Sequence, residues 1–587
     1  MVVRAGWFKG SKHSNRGPRR DMIAETRYPI DLTSALTTRP RAGSLGGSPI
    51  TSQQLRRHRT MSARRLFFLI SALGLLSLIV IPVFWWPYQW AIVIILPYIV
   101  IGLYDLFVSG SNVLRNYPVI GHLRYALEFI SPEIRQYFIE TNRSGRPFDR
   151  EQRQLVDRRS LGMPDFQPFG TQLDVTDVGY ESASHSMSPK TVPDEEARVT
   201  VGGAQCKKPY SASRLNISAM SFGALSPNAV EALNAGAKIG NFAQNTGEGG
   251  LSPYHLARGG DIFWQIGTGY FGCRTKDGKF DPAQFKERSR HDAVKMIEIK
   301  ISQGAKPSHG GVLPAAKVNH EIAEARGVPV GEDCFSPPGH STFSTPHELL
   351  EYVVQLRELC GGKPVGFKLC IGRKSEFMGI CKAMAESDIL PDFITVDGSE
   401  GGTGAAPLEF SDRLGMTVNE GLIFVENCLV GIDKRDKLKV IASGKVVSGF
   451  DLVQKIALGA DMCNAARTML FSIGCIQAVR CNTNTCPSGV ATQDHHRMKA
   501  VVVDERKYNV ANFHRVNIDS FLDLVGAMGL TSPDQLTPKH IYRRTSNEME
   551  KTYSQLYHFL EPGHLLRAKK IDENYAEHWA MAKSNAF

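Results

Sequence analysis

Three cysteines, Cys475, Cys481 and Cys486, are spaced C-x5-C-x4-C, and Pro487 follows the third. Close cysteines in a reduced compartment suit metal or redox chemistry. Structural zinc favours four ligands, often in C-x2–4-C pairs, and this spacing does not match. Three thiolates ending in Cys-Pro look instead like iron–sulfur ligands, a trio suited to a cluster with three ligated irons. Buried free thiols remain the alternative on spacing alone. The other eight of the 11 cysteines show no ligand spacing and read as core residues.

A second set of residues recurs after short apolar runs. Asn245-Thr246-Gly247-Glu248-Gly249-Gly250, Gln303-Gly304-Ala305-Lys306-Pro307 and Asp397-Gly398-Ser399-Glu400-Gly401-Gly402-Thr403-Gly404 are three such clusters. Ser443-Gly444-Lys445 and Asn464-Ala465-Ala466-Arg467 are two more. Glycines let backbone N–H groups approach phosphate oxygens, so the repetition points to a phosphate-bearing cofactor.

The elements that position these clusters are legible as alternation. Candidate strands are Leu215–Met220, Asn241–Asn245, Ile262–Ile266, Met296–Ile301, Val365–Leu369, Phe393–Val396, Lys439–Ala442 and Asp461–Asn464. Helical stretches such as Pro227–Ala237, Thr345–Leu359, Lys374–Ala385 and Ser448–Leu458 lie between several of them. Strands alternating with helices predict a parallel sheet, and this number of strands fits an α/β fold of the (β/α)8 TIM-barrel type. The polar clusters then fall at the C-terminal strand ends, where barrel chemistry gathers. A doubly wound open sheet is the alternative, but no G-x-G-x-x-G follows a first strand.

The 587 residues are 42% hydrophobic and 22% charged, which excludes a wholly disordered, collagen-like or multi-pass membrane protein. Residues 1–65 hold 14 Lys and Arg against three acids, which accounts for the whole formal net charge of +11. The remaining body is neutral, so the basic excess does not signal nucleic acid. That stretch is rich in Gly, Ser, Thr, Pro and Arg and reads as a disordered basic tail. No charged residue occurs between Arg65 and Asp105. Leu66–Trp86 and Tyr88–Val108 are each long enough to cross a hydrocarbon core, with aromatics and Pro87 between them. A transmembrane hairpin over residues 66–108 is expected. Its basic N-terminal flank predicts an inner-membrane protein whose body faces the cytoplasm. Residues 109–205 read as a connector, and residues 501–587 as a helical extension that includes Ile518–Met528 and Thr537–Arg544.

Taken together, residues 206–500 resemble the FMN-binding synthase domain of glutamate synthases. The likeness runs in order through Ser218-Ala-Met-Ser-Phe-Gly-Ala-Leu-Ser226, Asn245-Thr-Gly-Glu-Gly-Gly250 with Leu251-Ser252-Pro253, and Lys300-Ile-Ser-Gln-Gly-Ala-Lys-Pro307. It continues through Gly401-Gly-Thr-Gly-Ala-Ala-Pro407 and the cysteine stretch ending Cys486-Pro-Ser-Gly-Val-Ala-Thr-Gln493. The tail and hairpin look like a membrane-associated, single-chain branch. The resemblance implies an FMN-binding barrel and a [3Fe–4S] cluster held by Cys475, Cys481 and Cys486. It implies reductive amination of 2-oxoglutarate through 2-iminoglutarate, with electrons from a donor protein or a membrane quinone. It places Gln303 and Lys306 near 2-oxoglutarate, Glu248 at the imine nitrogen and Lys368 near the flavin ring. It assigns Ser221, Asn245, Gly402, Thr403, Gly444 and Lys445 to the flavin or its phosphate. A structural Glu248–Lys306 ion pair is the alternative reading of those two residues.

Departures from the family bear on the substrate. The chain begins Met-Val-Val-Arg without a cysteine nucleophile, so no glutaminase domain is expected, and the amino donor would be ammonia or another amine. The family's Gly-Glu-Gly-Gly-Gln-Leu-Pro-Gly is here Ser308-His-Gly-Gly-Val-Leu-Pro-Ala315, with His309 and Val312 as the main changes. Two further readings therefore stand beside the first. One is a related membrane-linked flavoenzyme for another amine or 2-oxo acid, and the other is an inactive membrane redox scaffold.

Overall fold

The computed structural model describes residues 61–587, in two compact units, residues 61–130 and 131–587. The expected basic tail lies outside the described residues except for its last five positions. Of these, Ala63, Arg64 and Arg65 already belong to a helix. Ser62 accepts a hydrogen bond from the Arg65 amide and caps α1, Ala63–Phe84, so the helix takes in the last two basic residues before the apolar run. A 3-10 turn, Trp86–Ala91, leads into α2, Ile92–Phe107. Both apolar stretches are long enough to cross a membrane and are almost entirely exposed, with 6% and 11% of their apolar windows buried.

The second unit is built on a closed parallel barrel. Its strands are β1 Leu215–Ile217, β2 Ala243–Asn245, β3 Asp261–Ile266 and β4 Val294–Lys300. They continue as β5 Val365–Leu369, β6 Phe393–Asp397, β7 Lys439–Ser443 and β8 Met462–Ala465. Every strand pairs with its neighbour in sequence, and β8 closes on β1 through Asn464 opposite Asn216. All eight strand expectations fall on barrel strands, with ends shifted by no more than three residues and Val365–Leu369 matched at both ends.

Because side chains alternate along a strand, every second residue enters the barrel. At the N-terminal end these are Ala243, Phe263, Met296, Phe393, Ile441 and Met462, which pack against Val199, Val201 and Ala212. Those last three come from an antiparallel hairpin, Arg198–Val201 with Tyr210–Ser213, which plugs that mouth. Two residues further along, the interior turns polar with Asn245, Gln265, Glu298 and Thr395. Two residues beyond Glu298 and Thr395 lie Lys300 and Asp397, at the open mouth, and strand register sets Ser443 and Asn464 level with Asp397.

The residues after the barrel differ from the all-helical expectation. Val503–Ala527 is one long helix and covers Pro227–Gly240; a Cβ at Gly236 would lie 2.5 Å from Val510 Cβ. Thr537–Arg544, expected to be helical, is a 3-10 turn followed by the strand Ile541–Arg544. That strand pairs with Glu181–Ala183 on one side and Glu550–Thr552 on the other. Pairing on both edges overrides local helix preference, and buried Ile541 provides the inward contact.

Candidate active site

The polar interior layer is the foundation of the site. Glu298 is 1% exposed. Its carboxylate accepts from Asn245 Nδ2 at 2.9 Å, Gln265 Nε2 at 2.6 Å and Thr395 Oγ1 at 2.7 Å. All three partners donate, which is what an ionised buried carboxylate requires. Asn245 Oδ1 in turn accepts the Gly247 amide at 3.0 Å and fixes the start of the loop that carries Glu248. Asn245, expected at the cofactor, therefore works from inside the barrel.

Glu248 sits over the barrel mouth. Lys300 Nζ, at the end of β4, lies 2.9 Å from its Oε1. Lys300 is thus the ion-pair partner of Glu248, and the alternative reading of a Glu248–Lys306 pair is not the one the structure shows. Burial alone would raise the Glu248 carboxyl, but Lys300, then Lys306 and Arg326, outweigh it and hold it below its ordinary value. Burial and the nearby Lys368 pull Lys300 down despite Glu248. Two glycines leave room for the carboxylate: a Cβ at Gly311 would lie 2.6 Å from Glu248 Oε1, and one at Gly267 would lie 2.8 Å from Glu248 Cβ. Lys306 Nζ donates to Ala405 O at 2.9 Å, and burial lowers its ammonium to about 8.

Three adjoining cavities open here. The first holds about 540 Å³ of atom-free space and is lined by Ser218, Gln303, Lys368, Asp397, Gly402, Ser443, Gly444, Lys445, Asn464 and Arg467, among others. Lys368 Nζ is 3.4 Å from Asp397 Oδ2. Burial opposes the Lys368 charge, but Asp397 and Glu298 outweigh it and raise its value. At the other end Lys445 Nζ and the Arg467 guanidinium both lie over the Phe148 ring, at 5.8 and 4.7 Å. Burial first, and Arg467 second, lower Lys445. Two like charges held together at the ends of β7 and β8 call for an anion between them. Gly402 and Gly444 are packed tightly here; a Cβ would lie 2.9 Å from Arg467 Nη1 at the first and 3.0 Å from Val418 Cγ1 at the second. Gln303 Nε2 and Asn464 Oδ1 are buried in this cleft without hydrogen-bond partners. A donor and an acceptor left open beside a cationic pocket fit a polar ring bearing a phosphate.

The second cavity, about 270 Å³, is lined by Glu248, Lys300, Gln303, His309 and Gly311 among others, and shares Gln303 with the first. The third, about 450 Å³, shares Glu248 and Gly311 with the second, and adds Lys306, Lys317, Arg326, Ser221, Thr403 and Cys481. Ser221 and Thr403 therefore line the third cavity and not the cleft where they were expected. Arg326 Nη2 donates to Phe222 O at 3.1 Å, and its guanidinium lies 5.0 Å over the Phe271 ring. Lys317 Nζ, fully buried, donates to Ala224 O and Ala491 O at 2.9 Å. Lys300, Lys317, Arg326, Glu298 and Arg467 were not singled out from the sequence. Lys300 and Arg467 stand inside quoted motifs, so a strand-end rule would have found them; Lys317 and Arg326 lie on a 64-residue excursion between β4 and β5 and carry no pattern.

The cysteine loop borders the third cavity. A Cβ at Gly404 would lie 3.6 Å from Cys481 Cβ, so the short segment holding Gly402 and Gly404 touches both the cleft and the thiols. Burial pushes the Cys475 thiol up to about 12, with Cys481 and Cys486 adding to the effect. Burial also raises Cys486, but Ser488 and backbone amides outweigh it and leave it below its ordinary value. Among the described residues no three His, Cys, Asp or Glu side chains converge as ligands of one metal ion. The three thiols are close enough to influence one another without sharing one coordination point, and each on a different iron is how a polynuclear cluster uses them.

A parallel barrel with a cationic cleft and a buried carboxylate–lysine pair at its C-terminal mouth has the architecture of a barrel enzyme. Residues 181–531 match the family model described as the conserved region in glutamate synthase. The glutamate synthase large subunit-like protein YerD of Bacillus subtilis (strain 168) is 37% identical over 491 residues, 76% of this chain and 93% of that protein. The archaeal glutamate synthase [NADPH] of Methanocaldococcus jannaschii is 32% identical over 321 residues, 54% of this chain and 60% of that protein. The glutamate synthase [NADPH] large chain of Bacillus subtilis is 30% identical over 333 residues, but only 20% of its length is covered. The chain belongs to the glutamate synthase family, oxidoreductases acting on CH–NH2 donors.

Proposed function

We propose that the protein reductively aminates 2-oxoglutarate to glutamate through 2-iminoglutarate, with FMN in the first cavity and a [3Fe–4S] cluster on Cys475, Cys481 and Cys486. The observation that carries the reading is Glu248. It is one ionised carboxylate set among Lys300, Lys306 and Arg326, on the wall shared by the two smaller cavities, and Gln303 joins it to the cleft. Bound there, flavin and cluster supply the two electrons that reduce the imine.

The protein's own residues supply the rest. Lys445 and Arg467 hold the phosphate, and Gly402 and Gly444 keep that end tightly packed. Gln303 and Asn464 meet the ring edge, and Lys368 offsets the charge of the reduced ring. Lys306 and Arg326 are cations for a dicarboxylate. Glu248 takes protons from the incoming amine and then holds the cationic imine nitrogen. Ammonia is the amino donor in this reading. The apolar α1 and α2 support an inner-membrane protein whose body faces the cytoplasm, taking electrons from a donor protein or quinone.

The test is reoxidation of the chemically reduced protein, followed by flavin absorbance, with 2-oxoglutarate and either ammonia or glutamine. Reoxidation only when 2-oxoglutarate and ammonia are both present supports the reading. If a different 2-oxo acid is the one that reoxidises the flavin, the second reading takes its place. His309 favours that alternative, because it faces the substrate cavity and packs edge-on against Phe410 at 5.2 Å. No response to any pair leaves the scaffold reading.

Lys306 predicts a pH dependence. Its charge is present below about 8 and lost above it. The KM for 2-oxoglutarate therefore rises as pH passes 8, about tenfold per unit where the charge is essential. Lys306→Arg keeps its charge at those pH values and should flatten the rise. A rise that persists in the arginine variant would assign the titration to another group.

A further inference from the structure

We propose that the helix Gly121–Ile134 is a membrane-surface helix, lying in the lipid interface on the side where α1 begins and α2 ends. This rests on reading α1 and α2 as membrane spans. Every residue from His122 to Ile134 is exposed. Four of the large apolar ones share one face, while Tyr125 and Phe129, also exposed, lie off it. Leu123, Leu127, Ile130 and Ile134 recur at i, i+4, i+7 and i+11, which stacks them in one stripe. Leu123 is 63% and Leu127 52% exposed. Arg124 and Glu128 lie about 100° or more from that stripe and pair with each other at 2.9 Å. A helix with a bare apolar stripe and a charged back belongs at a boundary between lipid and water.

The occupant follows from how this helix is attached. Asp105, in the last turn of α2, is wholly buried. It accepts the Val119 amide at 2.8 Å and lies 2.8 Å from His122 Nε2. Ser111 Oγ and Tyr125 Oη lie 2.5 Å apart. The first turn of the helix is thereby tied to the end of α2, where the chain leaves the lipid. Arg64 Nε donates to Arg115 O at 2.6 Å, so the start of α1 lies at the same level. Arg64, Arg65, Arg115 and Arg124 then share one membrane face, which favours anionic headgroups.

The test uses the full chain in nanodiscs of phosphatidylcholine with phosphatidylglycerol, doped with a phosphatidylcholine carrying a photoactivatable diazirine beside the glycerol. Adducts are mapped by mass spectrometry. Adducts on Leu123, Leu127, Ile130 or Ile134, absent from Arg124 and Glu128, support the proposal. A Leu123→Glu, Leu127→Glu, Ile130→Glu variant should lose them while resisting carbonate extraction. Adducts confined to the ends of α1 and α2 would refute the surface helix and leave the spans intact. A chain released by carbonate would refute the spans themselves. A helix shielded by a second copy would give protein–protein cross-links that grow with protein concentration in place of lipid adducts, and that also overturns the proposal.

Discussion

Glu248→Gln should lower turnover by about 10²–10⁴-fold, the usual contribution of a positioned acid–base group, while flavin content per chain stays that of the parent. The two effects separate because Glu248 lines the two smaller cavities but not the cleft with Lys445 and Arg467. The amide keeps the shape of the carboxylate and loses its charge. It can no longer take a proton from the amine or balance a cationic imine. Lys300, 2.9 Å away, loses its counter-ion. Breaking a buried pair typically costs about 3–5 kcal/mol when the remaining charge persists. Lys300 has another exit, because burial and Lys368 already pull its ammonium down, and it can shed its proton. The melting temperature of Glu248→Gln should therefore fall as pH is lowered, where Lys300 is forced to stay charged. In Glu248→Gln with Lys300→Met that pH dependence should disappear. Turnover within threefold of the parent in Glu248→Gln would remove Glu248 from the chemistry.

How much of this was legible in the sequence depends on distance along the chain. The barrel strands were legible because each is a short apolar run closed by Gly, Ser, Asn or Asp, and the five polar clusters needed only the barrel rule to be gathered together. Gly444 and Lys445 were placed in the cleft for the same reason. Partners were not legible. Only the alternative reading gave Glu248 an ion-pair partner, and it named Lys306; a loop residue carries no periodicity, and it is Lys300 at the end of β4 that reaches it. Asn245 follows a strand and looked like a cofactor contact, yet it faces Glu298 across the barrel, and an inward turn of the last strand residue leaves no mark in composition. Lys317 and Arg326 had no local signal at all. Ile541–Arg544 shows the opposite failure, in which a strand is made by edges contributed from residue 181 and residue 550.

The cysteine loop carries the other large effect. Cys481→Ala should bind almost no iron while the flavin stays bound, and should lose turnover with any donor that delivers electrons through the cluster. Ile473–Gln493 contributes no barrel strand, so loss of one thiol leaves the strand pairing of the barrel intact. Removing a direct ligand should cost at least the roughly 10–100-fold in metal affinity that loss of an outer-sphere partner costs. The flavin half-reaction should survive: dithionite-reduced Cys481→Ala should still be reoxidised by 2-oxoglutarate with ammonia at close to the parent rate. The pH dependence of iron uptake follows from the thiols. Cys475 and Cys481 are raised by burial and enter as thiols, whereas Cys486, with Ser488 Oγ 3.4 Å away, is the readiest thiolate. Iron must displace protons from the first two, so uptake by apo-protein should strengthen as pH rises. Buried Lys317, close enough to both Cys481 and Cys486 for their charges to raise its own value against burial, offsets the negative charge that loading creates. If Cys481→Ala keeps its iron and its donor-driven turnover, the trio is three buried thiols and electrons enter the flavin cleft by another route. If it loses iron and the flavin half-reaction together, the loop shapes the substrate cavity as well, which Cys481 and Asn482 line beside Lys306.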